Sequence, residues 1–282
     1  MSRSLGSALT GRRLRVELRP ASVRVVRQVT LPRPRHVPSR PIAVELLPTG
    51  REEPIEPWRG AVDALGVALR EQRGEVGNVD LVLSDHFVRH LLIPWSEALV
   101  GDRERLGFAR LAFRDLYGAV ADTWDVCLDE QPAGQASLAC AIDLALASAL
   151  REVVARTGGR LMALAPALAD CVNRHRSMLK VPEFCFAAAE PGRISLAFHS
   201  RGGWQAVRSR RIEGPLPEVL PTLLKQEAVV GDATGGGMLY VCADAVPDAV
   251  PFTVPGWRVA FLGNGSYARS QAADPQLVAA ES

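Results

Sequence analysis

The sequence predicts an α/β protein in which one β-β-β-α-β unit occurs twice within 282 residues. Apolar residues alternate with polar ones in short runs such as 14–18, which is the spacing of a β-strand. In the run 58–69 they recur every three or four residues, which is the spacing of a helix face. The segments VELRPASVRVV, from Val16, and AAAEPGRISLA, from Ala187, share a strand, a proline, a small residue and a second alternating run, at an offset of 171 positions. Such self-similarity indicates a repeated structural unit.

The first unit is predicted to contain three strands, a helix and a fourth strand. The strands are expected at 14–19, 23–30, 41–47 and 79–83. A connection rich in proline precedes the third of these strands. The helix begins at Pro57, since proline suits the first helical turn, and it ends at Gly74.

A different order of elements interrupts the repeat between residues 86 and 142. The pattern there predicts a strand, a helix and two further strands, at 86–94, 97–117, 123–129 and 137–142. The apolar face of that helix is predicted to carry Leu106, Ala109, Phe113 and Leu116. After the interruption we expect a helix at 143–156, a strand at 160–165 and a helix at 166–178.

The second unit begins at Phe184 and repeats the order of the first. Its strands are predicted at 184–190, 193–199, 204–211 and 238–242, and its helix at 217–227. Further strand pieces are expected within 250–262, and 266–282 is expected to be a flexible tail.

Composition and charge exclude several classes of protein. Hydrophobic residues make up 48% of the chain and charged residues 23%, which is typical of a globular protein. No apolar run is long enough for a membrane-spanning helix, and the start lacks the apolar core of a secretory signal. Residues 1–40 hold ten arginines and one acid, Glu17. This basic segment contains no Phe, Trp or Tyr, which counts against single-stranded nucleic acid as a ligand.

The cysteines and histidines predict neither disulfides nor a metal site. Five cysteines occur without a C-x-x-C pair, and we interpret them as small apolar residues of a protein in a reducing compartment. His86 and His90 are four apart in a predicted strand, where they would lie about 13 Å apart on one face. That separation is too large for a shared metal ion.

The repeated units resemble the actin-like ATPase fold, in which two ribonuclease-H-like domains face each other across a cleft. The inserted β-α-β-β segment resembles the small subdomain of FtsA and of the pilus protein PilM. The run VDLVLSDHFVRHLLIPWSEAL is similar to the corresponding stretch in the cytoplasmic part of the type II secretion protein GspL and in the pilus protein MshI. The resemblance implies a first domain at 12–178 with its insertion subdomain at 86–142, and a second domain at 182–265.

The family's nucleotide-binding loops are degraded at the matching positions. Its first phosphate loop reads Asp-x-Gly-x-x-Ser or Thr, whereas this chain has Glu17, Arg19 and Ser22 there. Arg19 replaces a glycine that lets backbone N–H groups approach phosphate, and Pro20 removes one N–H donor.

The second phosphate loop and the adenosine loop depart from the family in the same direction. Ala188 replaces the acid that would position Mg²⁺ or water, and Glu190 stands two residues before Gly192 at the position of a glycine. Cys242 follows the strand after which a Gly-Gly pair is expected. The resemblance therefore implies an actin-like fold without ATP turnover, catalytic residues, a cofactor or a metal.

The resemblance implies a non-enzymatic cytoplasmic scaffold of a bacterial type IV pilus or type II secretion platform, peripheral to the inner membrane. GspL continues into a membrane helix, whereas this chain stops, so its layout is closer to PilM. The expected partner is the cytoplasmic segment of a single-span inner-membrane protein, with an assembly ATPase as a further candidate. Contact with the membrane would be indirect, and no nucleic acid is expected. The predicted partner-binding residues are Arg89, His90, Trp95, Arg110 and Arg114.

Two other functions remain open at this point. One is an active actin-like ATPase or kinase, against which the three degraded loops count. The other is a nucleic-acid-binding protein that uses the basic first 40 residues.

Overall fold

A computed structural model of the chain describes most of the two predicted units. The described residues are 13–29, 35–38, 42–43, 56–72, 76–99, 101–129, 131–230, 236–243, 246 and 251–263. The predicted tail at 266–282 lies outside them, as do residues 1–12 of the basic segment and 44–47 of the predicted third strand.

The described part of the chain contains the following strands and helices in order. The strands are β1 (Arg13–Arg19), β2 (Ser22–Val29), β3 (Arg35–Pro38), β4 (Ile42–Ala43), β5 (Asn78–Leu83), β6 (Arg89–Ile93), β7 (Trp124–Leu128), β8 (Ser137–Asp143), β9 (Arg160–Pro166), β10 (Phe184–Glu190), β11 (Arg193–Ser200), β12 (Gly203–Arg211), β13 (Gly237–Cys242) and β14 (Trp257–Leu262). The α-helices are α1 (Arg59–Arg70), α2 (Asp102–Tyr117), α3 (Leu144–Arg156), α4 (Ala167–His175) and α5 (Leu216–Val230). Short 3-10 helices follow α2 at Gly118–Thr123 and α4 at Arg176–Met178.

The first sheet has the strand order β3-β2-β1-β5-β9, with β4 also paired to β2. Strand β1 runs antiparallel to β2 and parallel to β5, and β9 runs parallel to β5. Helices α1 and α3 pack together where α1 carries Gly66, since a Cβ there would meet a methyl group of Val153 at 3.2 Å. Helix α3 begins as predicted, because the Oδ1 of Asp143 accepts the N–H of Ala145 at 2.8 Å.

The third strand of the first unit differs from the prediction at 41–47. The structure has a strand at Arg35–Pro38, inside the predicted proline-rich connection, and a second short strand at Ile42–Ala43. Both pair with β2. Strand β3 is at the edge of the sheet, where a proline is tolerated because no further strand needs its missing N–H.

The second sheet repeats the strand order of the first as β12-β11-β10-β13-β14. The hairpin registers agree at the predicted offset: Val16 pairs with Val25 in the first sheet, and Ala187 pairs with Leu196 in the second. The internal repeat predicted from the sequence is therefore present residue by residue in this hairpin.

Strand β10 is buried along its whole length because both faces of the second sheet are covered. Cys185 and Ala187 belong to the cluster that contains Leu220 and Leu224 of α5. Phe186 lies in the other cluster with Leu168 of α4. Burial on both faces explains why this strand reads as a continuous apolar run instead of an alternating one.

The inserted segment forms a third sheet with the strand order β6-β8-β7. Its helix, α2, begins at Asp102 instead of residue 97. Ala109 and Phe113 are fully buried as predicted, but Leu116 was wrongly placed on the buried face and is 61% exposed.

The predicted strand at 86–94 is shorter, because a turn occupies its first residues. The N–H of Phe87 bonds to the carbonyl of Ser84 at 3.0 Å, and the N–H of His86 bonds to the hydroxyl of Ser84 at 3.2 Å. His86 therefore lies outside β6, and the prediction that it shares a strand with His90 is wrong.

The described residues form two compact units. One consists of the described residues within 1–88, 123–125 and 142–167, and the other of those within 89–122, 126–141 and 168–282. Within the second unit, β6 of the inserted sheet contacts β12. The boundaries predicted at 12–178, 86–142 and 182–265 follow chain order and stay a prediction. No helix in the described ranges is long and apolar enough to cross a membrane.

Candidate functional site

The first predicted phosphate loop is a tight hairpin turn beside a buried ion pair. Pro20 and Ala21 form the turn, and the pair Arg19–Ser22 closes it. Glu17 is only 8% exposed. Its carboxylate accepts a hydrogen bond at 2.8 Å from Nη2 of Arg19, and Nε of Arg15 lies 3.6 Å from the other carboxylate oxygen. Two guanidinium groups therefore interact with the carboxylate that would hold a metal or water in an active loop.

The second predicted phosphate loop has the same hairpin form. Pro191 and Gly192 make the turn, which the pair Glu190–Arg193 closes. Gly192 has a φ of 75°, a left-handed conformation that glycine adopts without the steric cost of a Cβ. Glu190 is the last residue of β10 and is only 5% exposed. A phosphate bound at this turn would bring a second negative charge next to its carboxyl group.

The third predicted position, Cys242, lies next to Ala188 in the second sheet. These two residues are paired across β13 and β10, and they are 2% and 4% exposed. The sheet thus brings two of the predicted positions together, although neither side chain supplies an oxygen ligand. The Sγ of Cys242 lies 3.0 Å from the Sγ of Cys171 on α4. Sequence reasoning missed this pair, because the two cysteines are 71 positions apart and no local pattern links them.

The described ranges contain no group of three or more His, Cys, Asp or Glu residues that could hold a metal ion. The buried Glu17 and Glu190 lie in different compact units.

The predicted partner-binding residues are placed differently from one another. Arg110 and Arg114 are exposed on α2, Arg89 is half-buried on β6, and Trp95 follows β6 with 37% of its surface exposed. His90 is a correction to the prediction: it is 8% exposed, and its Nδ1 lies 3.3 Å from the Sγ of Cys140. His90 is therefore buried, and little of its surface is available to a partner.

Trp95 lies at a shallow pocket at the end of β6. The pocket is small, with about 10 Å³ of free space, roughly enough for one water molecule, and Leu99, Arg105 and Leu128 are among its lining residues. Arg105 is held by Asp102 at 2.6 Å, at the start of α2. An exposed indole beside an apolar depression is a common feature of protein interfaces.

The outward face of α2 combines apolar and basic side chains, which sequence reasoning did not anticipate. Five large apolar residues are exposed on α2 and on the 3-10 helix after it: Phe108, Leu111, Leu116, Tyr117 and Val120. Leu111 and Arg114 are three apart, as neighbours on a helix surface are. Arg114 is 58% exposed, and its Nε lies 3.7 Å from the exposed carboxylate of Asp122. The available signal was the helix period, which places Leu111 and Arg114 on the side opposite the buried Ala109 and Phe113.

Comparisons with known proteins show a fold likeness and no close sequence relative. No protein-family model and no curated protein matches the sequence. A Bacteroides thetaiotaomicron protein of unknown function with an actin-like ATPase fold matches with a TM-score of 0.58 at 11% identity, covering 88% of this chain and 87% of that chain. The chain has the actin-like ATPase fold.

Two further solved structures match over nearly the whole chain. One is the cytoplasmic domain of EpsL, an inner-membrane component of the Vibrio cholerae type II secretion system. It matches with a TM-score of 0.56 at 11% identity, and the match covers 93% of this chain and 94% of that domain. A chain of the PilM–PilN type IV pilus biogenesis complex has a TM-score of 0.58 at 14% identity and covers 92% of this chain and 83% of its own. These neighbours confirm the fold class predicted from the sequence and the resemblance on which that prediction drew.

Proposed function

We propose that this chain is a non-enzymatic scaffold in the assembly platform of a type IV pilus or type II secretion system, on the cytoplasmic side of the inner membrane. The likeness to the EpsL cytoplasmic domain and to the PilM–PilN complex supports such a role. The observation that carries the proposal is the occupied carboxylate of Glu17, which is buried and bonded to Arg19 at 2.8 Å.

Phosphoryl transfer depends on groups that the two hairpins lack. Catalysis there is positioning and charge stabilisation, supplied by backbone N–H donors around phosphate and by an acid that holds the metal. Each turn begins with a proline, which has no N–H. Ala188 has no side-chain oxygen, and the buried Glu190 would repel phosphate.

The partner that fits the outward face of α2 is an acidic, amphipathic segment. Leu111 and Phe108 offer apolar area, with exposed fractions of 59% and 40%. Arg110 and Arg114 are one helical turn apart and attract carboxylates. A cytoplasmic segment of a single-span membrane protein, with apolar residues three or four apart and acids beside them, would complement both features. An assembly ATPase is the further partner that such a platform would bring to this chain.

The test is binding of a synthetic peptide to the full chain. The peptide is the cytoplasmic segment of the single-span membrane protein encoded next to this chain's gene, and fluorescence anisotropy measures its dissociation constant. Arg114→Glu, Arg89→Glu and Trp95→Ala should each weaken binding about 5- to 150-fold, which corresponds to roughly 1–3 kcal/mol at a hot spot.

Arg156→Glu is the matched control for the arginine variants. Arg156 is a helix arginine with an exposed fraction of 67%, and it pairs with Glu152 at 3.0 Å on α3. Its replacement should leave the dissociation constant unchanged. If Arg156→Glu weakened binding as much as Arg114→Glu did, the loss of affinity would come from the protein's changed net charge, and the α2 surface would not be the docking site.

A further inference from the structure

Two thiols in the core of the second unit lie within reach of a covalent bond. Cys171 on α4 and Cys242 at the end of β13 have their sulfur atoms 3.0 Å apart. Non-bonded heavy atoms in ordinary contact are about 3.5–4.0 Å apart, and the two sulfurs of a disulfide are about 2.05 Å apart. The pair is thus closer than ordinary packing and needs only about 1 Å of movement to bond. All five cysteines of the chain carry thiols.

The surroundings of the pair differ on its two sides. Cys242 is 2% exposed and is fixed between β10 and β14 by the sheet. Cys171 is half-buried, so it is the more accessible of the two. Nη2 of Arg174 donates a hydrogen bond to the Sγ of Cys171 at 3.2 Å.

The charge next to Cys171 favours the reactive form of a thiol. A guanidinium group beside sulfur stabilises the thiolate, which is the form that attacks peroxide. Nε of Arg174 also donates to the carboxylate of Asp170 at 2.8 Å. This second bond holds the guanidinium in place and offsets part of its charge.

We propose that Cys171 and Cys242 form an oxidation site at which hydrogen peroxide produces an intrachain disulfide. The Cys171 thiolate attacks the peroxide O–O bond, which gives a sulfenic acid and releases hydroxide. The Cys242 thiol then attacks that sulfur, the S–O bond breaks and the S–S bond forms. Overall, two thiols and one hydrogen peroxide give one disulfide and two waters, so the two electrons leave the sulfurs for the peroxide.

The disulfide would join α4 to the carboxyl end of β13 across 71 positions of the chain. A covalent link there restricts the unfolded chain, so the oxidised protein should melt at a higher temperature than the reduced one.

The other thiols provide internal comparisons. Cys127 is exposed on β7, whereas Cys140 and Cys185 are buried. Burial, together with the nearby Glu227 carboxylate, raises the pKa of the Cys185 thiol well above its ordinary value. Cys185 should therefore stay unreactive towards peroxide at neutral pH.

The experiment treats the reduced full chain with a small excess of hydrogen peroxide at neutral pH. Titration with a thiol reagent in denaturant should show the count fall from the five present by the two that form the disulfide. Mass spectrometry should find a linked pair of tryptic peptides, one containing Cys171 and the other Cys242, lighter than the sum of the two thiol peptides by two hydrogen atoms. Dithiothreitol should reverse both the link and the rise in melting temperature.

Two variants separate this site from general thiol oxidation. Cys171→Ser should abolish the linked peptide, and Cys127→Ser should leave it unchanged. Peptide mapping of the wild-type protein gives the decisive result even if a variant folds poorly. Wild-type protein that shows oxidised Cys127 but no Cys171–Cys242 link would overturn the proposal.

Discussion

Replacing Arg19 by alanine tests whether an arginine, and not a ligand, satisfies the buried Glu17. The variant removes the 2.8 Å hydrogen bond and leaves Arg15, whose Nε lies 3.6 Å from the other carboxylate oxygen. The side chains of Glu17 and Arg19 are 10% and 17% exposed, so water screens the pair only in part. Hydrogen bonds to charged groups contribute about 1.5–3 kcal/mol, and the remaining arginine keeps the loss below the cost of a fully unpaired buried charge. We therefore expect Arg19→Ala to lower the free energy of unfolding by about 2 kcal/mol.

Urea unfolding followed by circular dichroism measures this loss, and a double-mutant cycle assigns it. In a Glu17→Gln background, Arg19→Ala should cost less, with a coupling energy of at least about 1 kcal/mol. Arg59→Ala is the control, because Arg59 is 71% exposed and pairs with Glu56 on the same unit. An exposed pair of that kind contributes about 0–1 kcal/mol. Equal losses for Arg19→Ala and Arg59→Ala, without coupling to Glu17, would refute the interpretation of the first hairpin.

Four further outcomes follow from the described contacts. Calorimetric titration with Mg²⁺-ATP should show no binding heat up to about 1 mM, where a dissociation constant would correspond to a binding free energy of only about −4 kcal/mol. Saturable heat at tens of micromolar would contradict the scaffold proposal. Phe113→Ala should cost about 3–5 kcal/mol in urea unfolding because Phe113 is 0% exposed, whereas Leu111→Ala, at 59% exposure, should stay within about 0.5 kcal/mol; similar losses would mean that the helix packs through another face. Asp143→Ala should cost about 1 kcal/mol by removing the cap of α3, and Asp143→Asn less because it keeps an acceptor; equal costs in thermal melts would exclude the cap as the cause. Burial raises the pKa of Asp129, against the smaller opposing effect of its hydrogen bonds to Gln131 and the Leu138 N–H. The folded state thus prefers the neutral carboxyl group, and the stability from this preference is complete below the unfolded pKa and lost as the pH rises through the folded pKa. Asp129→Asn, which is neutral at every pH, should therefore raise the free energy of unfolding at pH 7 and lose this gain on acidification. A gain that persists in acid would point to another cause.

Strand and helix types were predictable where the signal is local. In the hairpins of β1–β2 and β10–β11, a proline and a small residue stand between two strand-forming runs, and the closing pairs Arg19–Ser22 and Glu190–Arg193 follow from that pattern. The offset of 171 positions found in the sequence is the same offset that separates the two registers. Turn residues and side-chain alternation act on the nearest neighbours in the chain, so one sequence is enough to read them.

Element boundaries were less predictable where competing local bonds decide them. The N–H of Gly101 donates to Oε2 of Glu104 at 3.2 Å, which starts α2 several residues after the predicted position 97. The Ser84 hydroxyl holds a turn that delays β6 until Arg89. Side-chain bonds to the backbone of this kind compete with helices and strands at energies too similar for periodicity to resolve.

The candidate site was predicted in its residues but only partly in its surroundings. The sequence identified Glu17, Arg19 and Glu190 as departures from a phosphate loop. It did not indicate that Arg19 would bond to Glu17, or that His90 would lie against Cys140. Substitution of a loop residue is visible in a sequence, whereas the partner of a side chain depends on the rotamers and packing around it.

The sequence by itself determined the fold class, the internal repeat and the departures of both hairpin turns from a phosphate loop, because each depends on residue type and on spacing along the chain. Only the tertiary structure decided which apolar faces are covered and which distant residues meet. It left Leu116 and Leu111 exposed on α2 although both are apolar, and it brought Cys171 within 3.0 Å of Cys242. The hydrophobic effect rewards burial without direction, so what a face packs against is fixed by the elements that reach it in space.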